Sequence, residues 1–417
     1  MVSKKKVVVL VDAYSTGAYL APCFEEMGIC SLHIQSRINL PPYFLKSHIP
    51  ENYIQCLVHE SIDNTLLMLQ PFDIVGVIPG SDPGVHLAND LSYHLGLPAF
   101  NDPLLSEARQ DKYEMIRCLS AAKLSNLKQI YTDSLEELRR WASHHSMPFV
   151  VKPRISTGVN GVVLCHSIEA LETAFRSARH ASTVYGVNEP KVLIQTCAKG
   201  EEYVINTVSY LGKHRMIELW RVERETNGSP ILRCMELLSS NAHHEPIISY
   251  AFNVLDCLGL HNGPCHMEVI LTEKGPELIE VNARMHGDMD PSAPLQVQGT
   301  NHVIETCLNF ISEESKACIS ARQLPTATNC MKVSLRFHDE GTLSQEPSWK
   351  TLESLTSFHS LRKRTKVGQN VRPTFSVGSS AGALFLVASD REKMMDDYRK
   401  VLKWEREELS SVIEYEH

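Results

Sequence analysis

The segment HMEVILTEKGPELIEVNAR, residues 266–284, decides the fold. Apolar runs on both sides of a Lys274-Gly275 turn predict two strands joined as a hairpin. Glu268 and Glu280 each interrupt one of these runs, and an unpaired carboxylate on a buried strand is costly. If the strands pair through the turn, both carboxylates can project to one face, to which strand alternation returns Asn282. We therefore expect a set of oxygen ligands on one face of this hairpin.

These side chains suggest a metal and phosphate site. Carboxylates and an amide oxygen are hard ligands of the kind that Mg²⁺ takes together with phosphate oxygens. Arg284 adds a fixed cation on the same side, suited to a phosphate or carboxylate fork. The alternative is a pair of surface strands with ordinary salt bridges, which the apolar neighbours of both glutamates disfavour.

Two upstream segments contribute lysines. Lys112 lies in the helical segment Asp111-Lys112-Tyr113-Glu114-Met115, although a lone helical lysine is usually solvated. Lys152 ends the apolar strand Val150–Lys152, before a loop of small residues whose backbone N–H groups can close over phosphates. This loop has no Walker A sequence, so taken alone it is a weak signal.

A third upstream segment could hold a nucleoside. An apolar strand at 193–196 (LIQT) leads into Gly200-Glu201-Glu202-Tyr203. Such a strand can offer backbone groups to an adenine edge, and Glu202, seven residues past Gln195, could accept both ribose hydroxyls.

In this order and spacing, the segments resemble the ATP-grasp superfamily. The pattern is DKxxM, VVKP, a serine and glycine loop, LIQ, GEEY and finally HMEV…LIEVNAR. The endings EVNAR and GEEY look closest to the carboxylate–amine ligase branch, in particular bacterial L-amino acid ligases, and the start VDAYSTG at 11–17 is similar to that branch.

The resemblance implies roles for individual residues. The nucleotide would be bound by Lys112, Lys152, Ser156, Thr157, Gly158, Gly161, Gln195 and Glu202. Two Mg²⁺ ions, or Mn²⁺, would be bound by Glu268, Glu280 and Asn282. Arg284 and Lys152 would act in catalysis, and Arg284 would stabilise an acyl phosphate and also hold the substrate carboxylate. Gln195 stands where many relatives have glutamate, which leaves its side chain's part in adenine recognition open.

Further residues are candidates for substrate contact. His243 and His244 lie between a strand and a helix, where they could line the pocket or serve as a base for the amine, or be exposed loop histidines. Trp220 near the end of a strand could face the substrate or be structural, and His286 follows Arg284 in a turn. The basic run Arg362–Lys366 is interpreted as a solvated face because the net charge is -8.

The element pattern predicts an α/β protein, and the resemblance implies the ATP-grasp fold. Residues 1–105 form an N-terminal open parallel-sheet domain, and residues 106–200 a small α+β lid lobe with a linker helix. Residues 201–320 form a larger antiparallel-sheet catalytic lobe, on which residues 321–417 pack as an appendage.

Composition restricts the class of protein. Lys+Arg number 41 against 49 Asp+Glu, which disfavours a nucleic-acid binder. No apolar stretch approaches the length that spans a bilayer. The twelve cysteines are scattered without a CxxC pair, which predicts a disulfide-free cytoplasmic protein. A homodimer is common among the resembled relatives, and the expected partners are small-molecule carboxylate and amine substrates.

The resulting hypothesis is an ATP-dependent, ADP-forming carboxylate–amine ligase. It would join an amino acid to another amino acid or amine through an acyl phosphate. Two alternatives remain: an ATP-grasp ligase of another pathway, of purine or carboxylase type, and a nucleotide-binding regulatory protein.

Overall fold

The computed structural model describes residues 5–155, 161–180, 190–225, 231–239, 242–310 and 325–414. Ser156, Thr157 and Gly158 of the predicted phosphate loop lie outside the described residues, whereas Gly161 lies within them. Within this part of the chain, no helix is both long and apolar enough to span a membrane.

The N-terminal lobe is an open parallel sheet with strand order β3-β2-β1-β4 in the described chain. Its strands and helices are β1 (Lys6–Val11), α1 (Leu20–Glu26), β2 (Cys30–Gln35), α2 (Pro42–Leu45), β3 (Gln55–Val58), α3 (Ile62–Leu69), β4 (Asp73–Pro79) and α4 (Val85–His94). Val7–Val11 is fully buried because helices cover both faces of the sheet. Sequence reasoning missed β3, whose residues at the sheet edge are largely exposed.

Loops at the carboxyl edge of this sheet approach each other closely. The loop after β1 contains Gly17, and the loop after β4 contains Gly80. A Cβ atom at Gly17 would lie 2.5 Å from the carbonyl oxygen of Gly80, so only glycine fits there.

The lid lobe is an antiparallel sheet of order β5-β8-β6-β7 in the described residues, with two helices that share its core. Its elements, with the preceding helix, are α5 (Lys112–Ala121), β5 (Gln129–Thr132), α6 (Leu135–Ala142), β6 (Phe149–Lys152), β7 (Val163–Cys165), α7 (Ile168–Ala178) and β8 (Val192–Thr196). Ser134 and Ser167 cap the two lid helices by accepting backbone N–H groups three residues on, which fixes where each helix begins.

The third lobe is built on an antiparallel sheet, ordered β13-β12-β9-β10-β11-β14-β18-β16 in the described chain. Its elements are β9 (Glu201–Tyr210), β10 (Lys213–Glu225), β11 (Ile231–Leu238), α8 (Glu245–Cys257), β12 (Gly263–Thr272), β13 (Gly275–Asn282), α9 (Ser292–Gln298), α10 (His302–Leu308), β14 (Asn329–Leu335), β15 (Gly341–Leu343), α11 (Trp349–Glu353), β16 (Phe358–Lys363), β17 (Asn370–Val371), β18 (Gly382–Ala388), α12 (Arg391–Trp404) and β19 (Ile413–Glu414). Residues expected to form an appendage therefore supply β14, β16 and β18 to the main sheet.

Candidate active site

The hairpin β12–β13 brings its carboxylates together. Glu268 and Glu280 are direct partners across the two strands, and His266 is the partner of Asn282. Directly opposed residues of antiparallel strands share a face, so the structure contains the pairing expected from the sequence. Asn282 Nδ2 donates to Glu280 Oε1 at 2.9 Å.

Glu280 is stabilised as a carboxylate by a lysine from another element. The Lys112 ammonium lies 2.9 Å from Glu280 Oε2. Burial alone would raise the pKa of Glu280, but the charge of Lys112 and the hydrogen bond from Asn282 hold that pKa well below its ordinary value. The ionised carboxylate is therefore the form present at neutral pH.

Glu268 and Glu202 share an arginine that sequence reasoning missed. Arg224 on β10 donates from Nε to Glu202 Oε2 at 2.7 Å, and its Nη2 lies 3.3 Å from Glu268 Oε2. His266 Nε2 lies 3.5 Å from Glu268 Oε1. Burial raises the pKa of Glu202, whereas the hydrogen bond from His266 and the charge of Arg224 outweigh burial and lower that of Glu268.

Lys152 ends β6 of the lid lobe and faces this carboxylate group. Its side chain is buried, and among the described residues no carboxylate forms an ion pair with it. Burial, together with the nearby charge of Lys112, lowers the pKa of Lys152 to about 8. A buried ammonium of this kind is suited to a phosphate oxygen.

The start of α5 holds the lysines in place. Asp111 caps the helix by accepting the backbone N–H groups of Tyr113 and Glu114, which fixes Lys112 in the first turn. The Lys112 N–H donates to the carbonyl oxygen of Arg154 at 3.1 Å, two residues beyond Lys152. Arg154 in turn pairs with Asp111. These contacts connect both lysine segments.

Gln195 offers an unsatisfied acceptor. Its side chain is fully buried, and its Nε2 donates to Gln129 Oε1 at 3.0 Å. Within the described chain, Gln195 Oε1 has no hydrogen-bond partner. An unpaired buried oxygen is costly, so a bound donor such as an adenine amino group fits this position.

Arg284 is oriented by the N-terminal lobe. Its Nε and Nη2 donate to the two carboxylate oxygens of Asp82 at 2.8 and 3.0 Å. Asp82 lies in the loop after β4, and its carbonyl oxygen accepts from Gln110 Nε2 at 2.6 Å. The guanidinium predicted to contact the acyl phosphate is thus held rigidly at a junction between lobes.

A buried polar network lies beside the hairpin carboxylates, on the same face of the sheet. The rings of His266 and His286 stack with centroids 4.1 Å apart, and Asn206 contacts both histidines. Burial lowers the pKa of His286 well below its ordinary value, so this ring is neutral. Asn206 Nδ2 also donates to Glu218 Oε2 at 2.7 Å. His286 therefore belongs to this network rather than to an exposed turn.

Trp220 is enclosed in the core of the large sheet lobe. Its side chain is fully buried in a core with Val204 and Met289, and its Nε1 donates to Glu218 Oε2 at 3.0 Å. α9 covers this part of the sheet and encloses the indole, which favours the structural role over substrate contact.

His243 and His244 lie across the sheet from the carboxylates. The His244 ring is 6.0 Å from the ring of Tyr203, which packs with α8. Glu202 and Tyr203 are consecutive residues of β9 and project to opposite faces. β9 and its neighbours separate these histidines from the hairpin carboxylates, so we expect them to take no part in the chemistry.

The basic run Arg362–Lys366 is not a uniformly solvated face. Arg362 and Arg364 point inward and pair with Asp288, whereas Lys363 points outward to Glu353. Alternation along β16 divides the run between two faces. The i, i+2 spacing of the two arginines in the sequence indicates that they share one face of a strand.

Comparisons with known proteins agree with this arrangement. Residues 145–292 match a family model described as an ATP-grasp domain. The chain is 33% identical over 318 residues to dapdiamide A synthase of Enterobacter agglomerans, a match that covers 74% of this chain and 72% of that protein.

Solved structures show the same fold. An L-amino acid ligase from Bacillus licheniformis superposes with a TM-score of 0.75 at 16% identity over 100% of both chains. A phosphoribosylglycinamide synthetase from Anaerococcus prevotii gives a TM-score of 0.67 at 13% identity, covering 96% of this chain and 98% of that one.

Proposed function

The chain belongs to the ATP-grasp carboxylate–amine ligase family and is an ATP-dependent ligase, and from this premise we propose that it joins two amino acids through an acyl phosphate and releases ADP. The observation that carries the proposal is the opposed Glu268–Glu280 pair beside Lys112 and Lys152. This arrangement combines oxygen ligands for a cation with ammonium groups for phosphates.

The residues fit magnesium. Glu268, Glu280 and Asn282 would hold it, because ionised carboxylates and an amide oxygen are the hard donors that Mg²⁺ prefers. ATP-grasp enzymes bind ATP with Mg²⁺, and we propose two ions here, with Mn²⁺ as a substitute. When bound, the metal would neutralise charge on the phosphate oxygens.

The nucleotide site combines groups from the lid and the large sheet. Lys112 and Lys152 would contact phosphates. Gln195 Oε1, which has no hydrogen-bond partner among the described residues, would accept a hydrogen bond from the adenine amino group. Glu202, oriented by Arg224, would accept the ribose hydroxyls. The loop of Ser156, Thr157, Gly158 and Gly161 would exclude water from the phosphates.

The chemistry requires activation, because a carboxylate is a poor electrophile. An oxygen of the substrate carboxylate attacks the γ-phosphorus while the bond from that phosphorus to the β-bridging oxygen breaks, giving the acyl phosphate and ADP. The amine nitrogen then attacks the acyl carbon and loses a proton, and inorganic phosphate leaves. Arg284, oriented by Asp82, would stabilise the charge on the acyl phosphate.

Amino acids are the proposed substrates because the similar structure from Bacillus licheniformis is that of an L-amino acid ligase. The homodimer and the cytoplasmic location predicted from the sequence stay predictions. Light scattering of the purified protein and fractionation of the source cells test them.

The deciding experiment follows products and an isotope. The protein is incubated with Mg-ATP and pairs of amino acids, both labelled with ¹⁸O in their carboxylates. We expect ADP, a new amide by mass spectrometry, and transfer of one ¹⁸O atom to inorganic phosphate. AMP with pyrophosphate, or phosphate without the label, would rule out the acyl phosphate.

A further inference from the structure

The sheet face that carries the acidic hairpin carries a group of cations near its other edge. We call Lys332, Arg362 and Arg364 the basic cluster. Register connects the two ends, because Glu202 pairs with Val222, Val222 with Met235, and Met235 with Lys332. Directly opposed residues share a face, so the side chains of Lys332 and Glu202 project from the same side of the sheet.

The basic cluster converges on one carboxylate. Lys332 Nζ lies 3.1 Å from Asp288 Oδ2, and Arg362 Nη1 and Arg364 Nη2 lie 3.5 and 2.5 Å from Asp288 Oδ1. Asp288 is held in a left-handed backbone conformation (φ 59°), which is uncommon outside glycine. The loop after β13 thus carries this carboxylate over the cluster.

Positive charge exceeds negative charge at this point. Three cations surround Asp288. Burial lowers the pKa of one of them, Lys332. An excess of partly buried cations is unfavourable unless another anion joins them. Among the described residues, Asp288 is the sole carboxylate paired with the cluster.

The basic cluster is accessible to a ligand. The side chains of Arg362, Arg364 and Asp288 are 28, 22 and 22% exposed, in contrast to Lys332 at 3%. A substrate anion could therefore reach the guanidinium groups while Lys332 supports the site from below.

The basic cluster also borders the cleft that contains Arg284. Ser15 Oγ accepts the Asp288 N–H at 2.8 Å, and Tyr19 OH accepts from Arg362 Nη2 at 3.0 Å. These residues follow β1, while Asp82, the partner of Arg284, follows the neighbouring strand β4. Arg284 and Asp288 are four residues apart on one loop, so both sites face the same edge of the N-terminal sheet.

We propose that the basic cluster binds a second, non-reacting carboxylate of a substrate, an inference that rests on the proposed ligase function. The carboxylate to be activated must lie near Lys152 and the hairpin. An amino acid that supplies the amine carries a carboxylate of its own, which would be phosphorylated if it occupied that place. The basic cluster holds this group apart and leaves its amine free to attack. The second carboxylate of a dicarboxylic acid substrate would be bound by the same chemistry.

Four pairs of probes separate these sources. For the amine source, alanine, phenylalanine and glutamate are each compared with their α-carboxamides. For the acid source, succinate is compared with succinamate. Affinity is measured by calorimetry, apart from amide formation, so a failure of the ligase chemistry is recognised separately from a failure of the cluster.

The variants are Arg362→Gln and Arg364→Gln, with Lys363→Gln as the matched control on the outer face of β16. We expect each inner substitution to weaken carboxylate binding about tenfold to hundredfold and to leave carboxamide binding within about twofold. Arg362→Lys should retain part of the affinity that Arg362→Gln loses. Lys363→Gln should change neither. Circular dichroism verifies that each variant is folded.

Each result decides the proposal. A preference for an amino acid over its α-carboxamide that is lost in Arg362→Gln and Arg364→Gln identifies the amine source, and a preference for succinate over succinamate that is lost in the same variants identifies the acid source. Equal affinity of the wild type for every carboxylate and its carboxamide would overturn the proposal. Equal losses for carboxylate and carboxamide in folded Arg362→Gln and Arg364→Gln would also overturn it, because the cluster would then be only structural.

Discussion

The two ends of one face of the large sheet differ in how their buried charges are balanced. At the hairpin end, Glu202, Glu268 and Glu280 are opposed by Arg224 and Lys112, with Lys152 nearby. At the other end, three cations share the single carboxylate of Asp288. At the hairpin end the negative and positive side chains nearly balance, as a site that binds a metal ion and a nucleotide together requires. The basic end has excess positive charge, as a site for a lone anion would have.

The largest difference in response between the two ends is expected when a charge of the hairpin is removed. Glu280→Gln should lower kcat by about a hundredfold or more, because loss of even an outer-shell partner of a metal site typically costs tenfold to hundredfold. Carboxylate binding at the basic cluster, measured by calorimetry, should stay unchanged.

The matched control is Glu273→Gln, at an exposed position in the turn of the same hairpin. Its kcat should equal that of the wild type. Full turnover in Glu280→Gln would remove this residue from the metal site and abolish the proposed contrast.

The contact between Arg284 and the N-terminal lobe is tested at Asp82. Asp82→Asn should lower kcat by about tenfold or more, since Arg284 loses the bidentate partner that orients it. Stopped assays of ADP formation measure the loss, and Asp73→Asn, exposed at the start of β4, is the control. Equal rates for the two variants would show that Arg284 needs no orientation by the N-terminal lobe.

The acidic end should respond to pH through Lys152. Because burial lowers the pKa of Lys152 to about 8, its charge is lost as pH rises through that value, and kcat/KM for ATP should fall there. Lys152→Arg should remove this fall, since arginine stays charged. A wild-type profile that is flat between pH 7 and 9.5 would contradict the assignment.

The same shift has a consequence for stability. The folded-state pKa lies below the unfolded value, so the unfolded chain binds more protons between them and Lys152 makes the protein more stable as pH rises through this range. Urea unfolding at pH 7.5 and 9.5, compared between the wild type and Lys152→Met, isolates this contribution.

The smallest effect is expected on the opposite face of the sheet. His243→Ala should leave kcat within about twofold, as exposed substitutions away from a site usually do. A loss of tenfold or more would return this histidine to the substrate site and require the loop before α8 to reach around the sheet.

The pairing of the hairpin glutamates could be predicted from the sequence because its pattern is local. Glu268 and Glu280 belong to one hairpin, and a short turn fixes which residues face each other. Arg224 was missed because its place beside Glu202 depends on the register of β9 and β10, which includes a bulge. The basic run Arg362–Lys366 was misinterpreted as a solvated face because Arg362 becomes a neighbour of Asp288 only when β14, β18 and β16 extend the sheet.

Because β14, β18 and β16 extend the sheet, the proposed nucleotide site and the basic cluster are supplied by different parts of the chain. The residues that would handle the nucleotide end at β13, whereas Lys332, Arg362 and Arg364 all belong to the last hundred residues. Changes confined to β14 and β16 could therefore alter which acids and amines are admitted while phosphoryl transfer is preserved. A lineage with this architecture can acquire new products by altering its C-terminal strands, and a laboratory can exchange those strands for the same purpose.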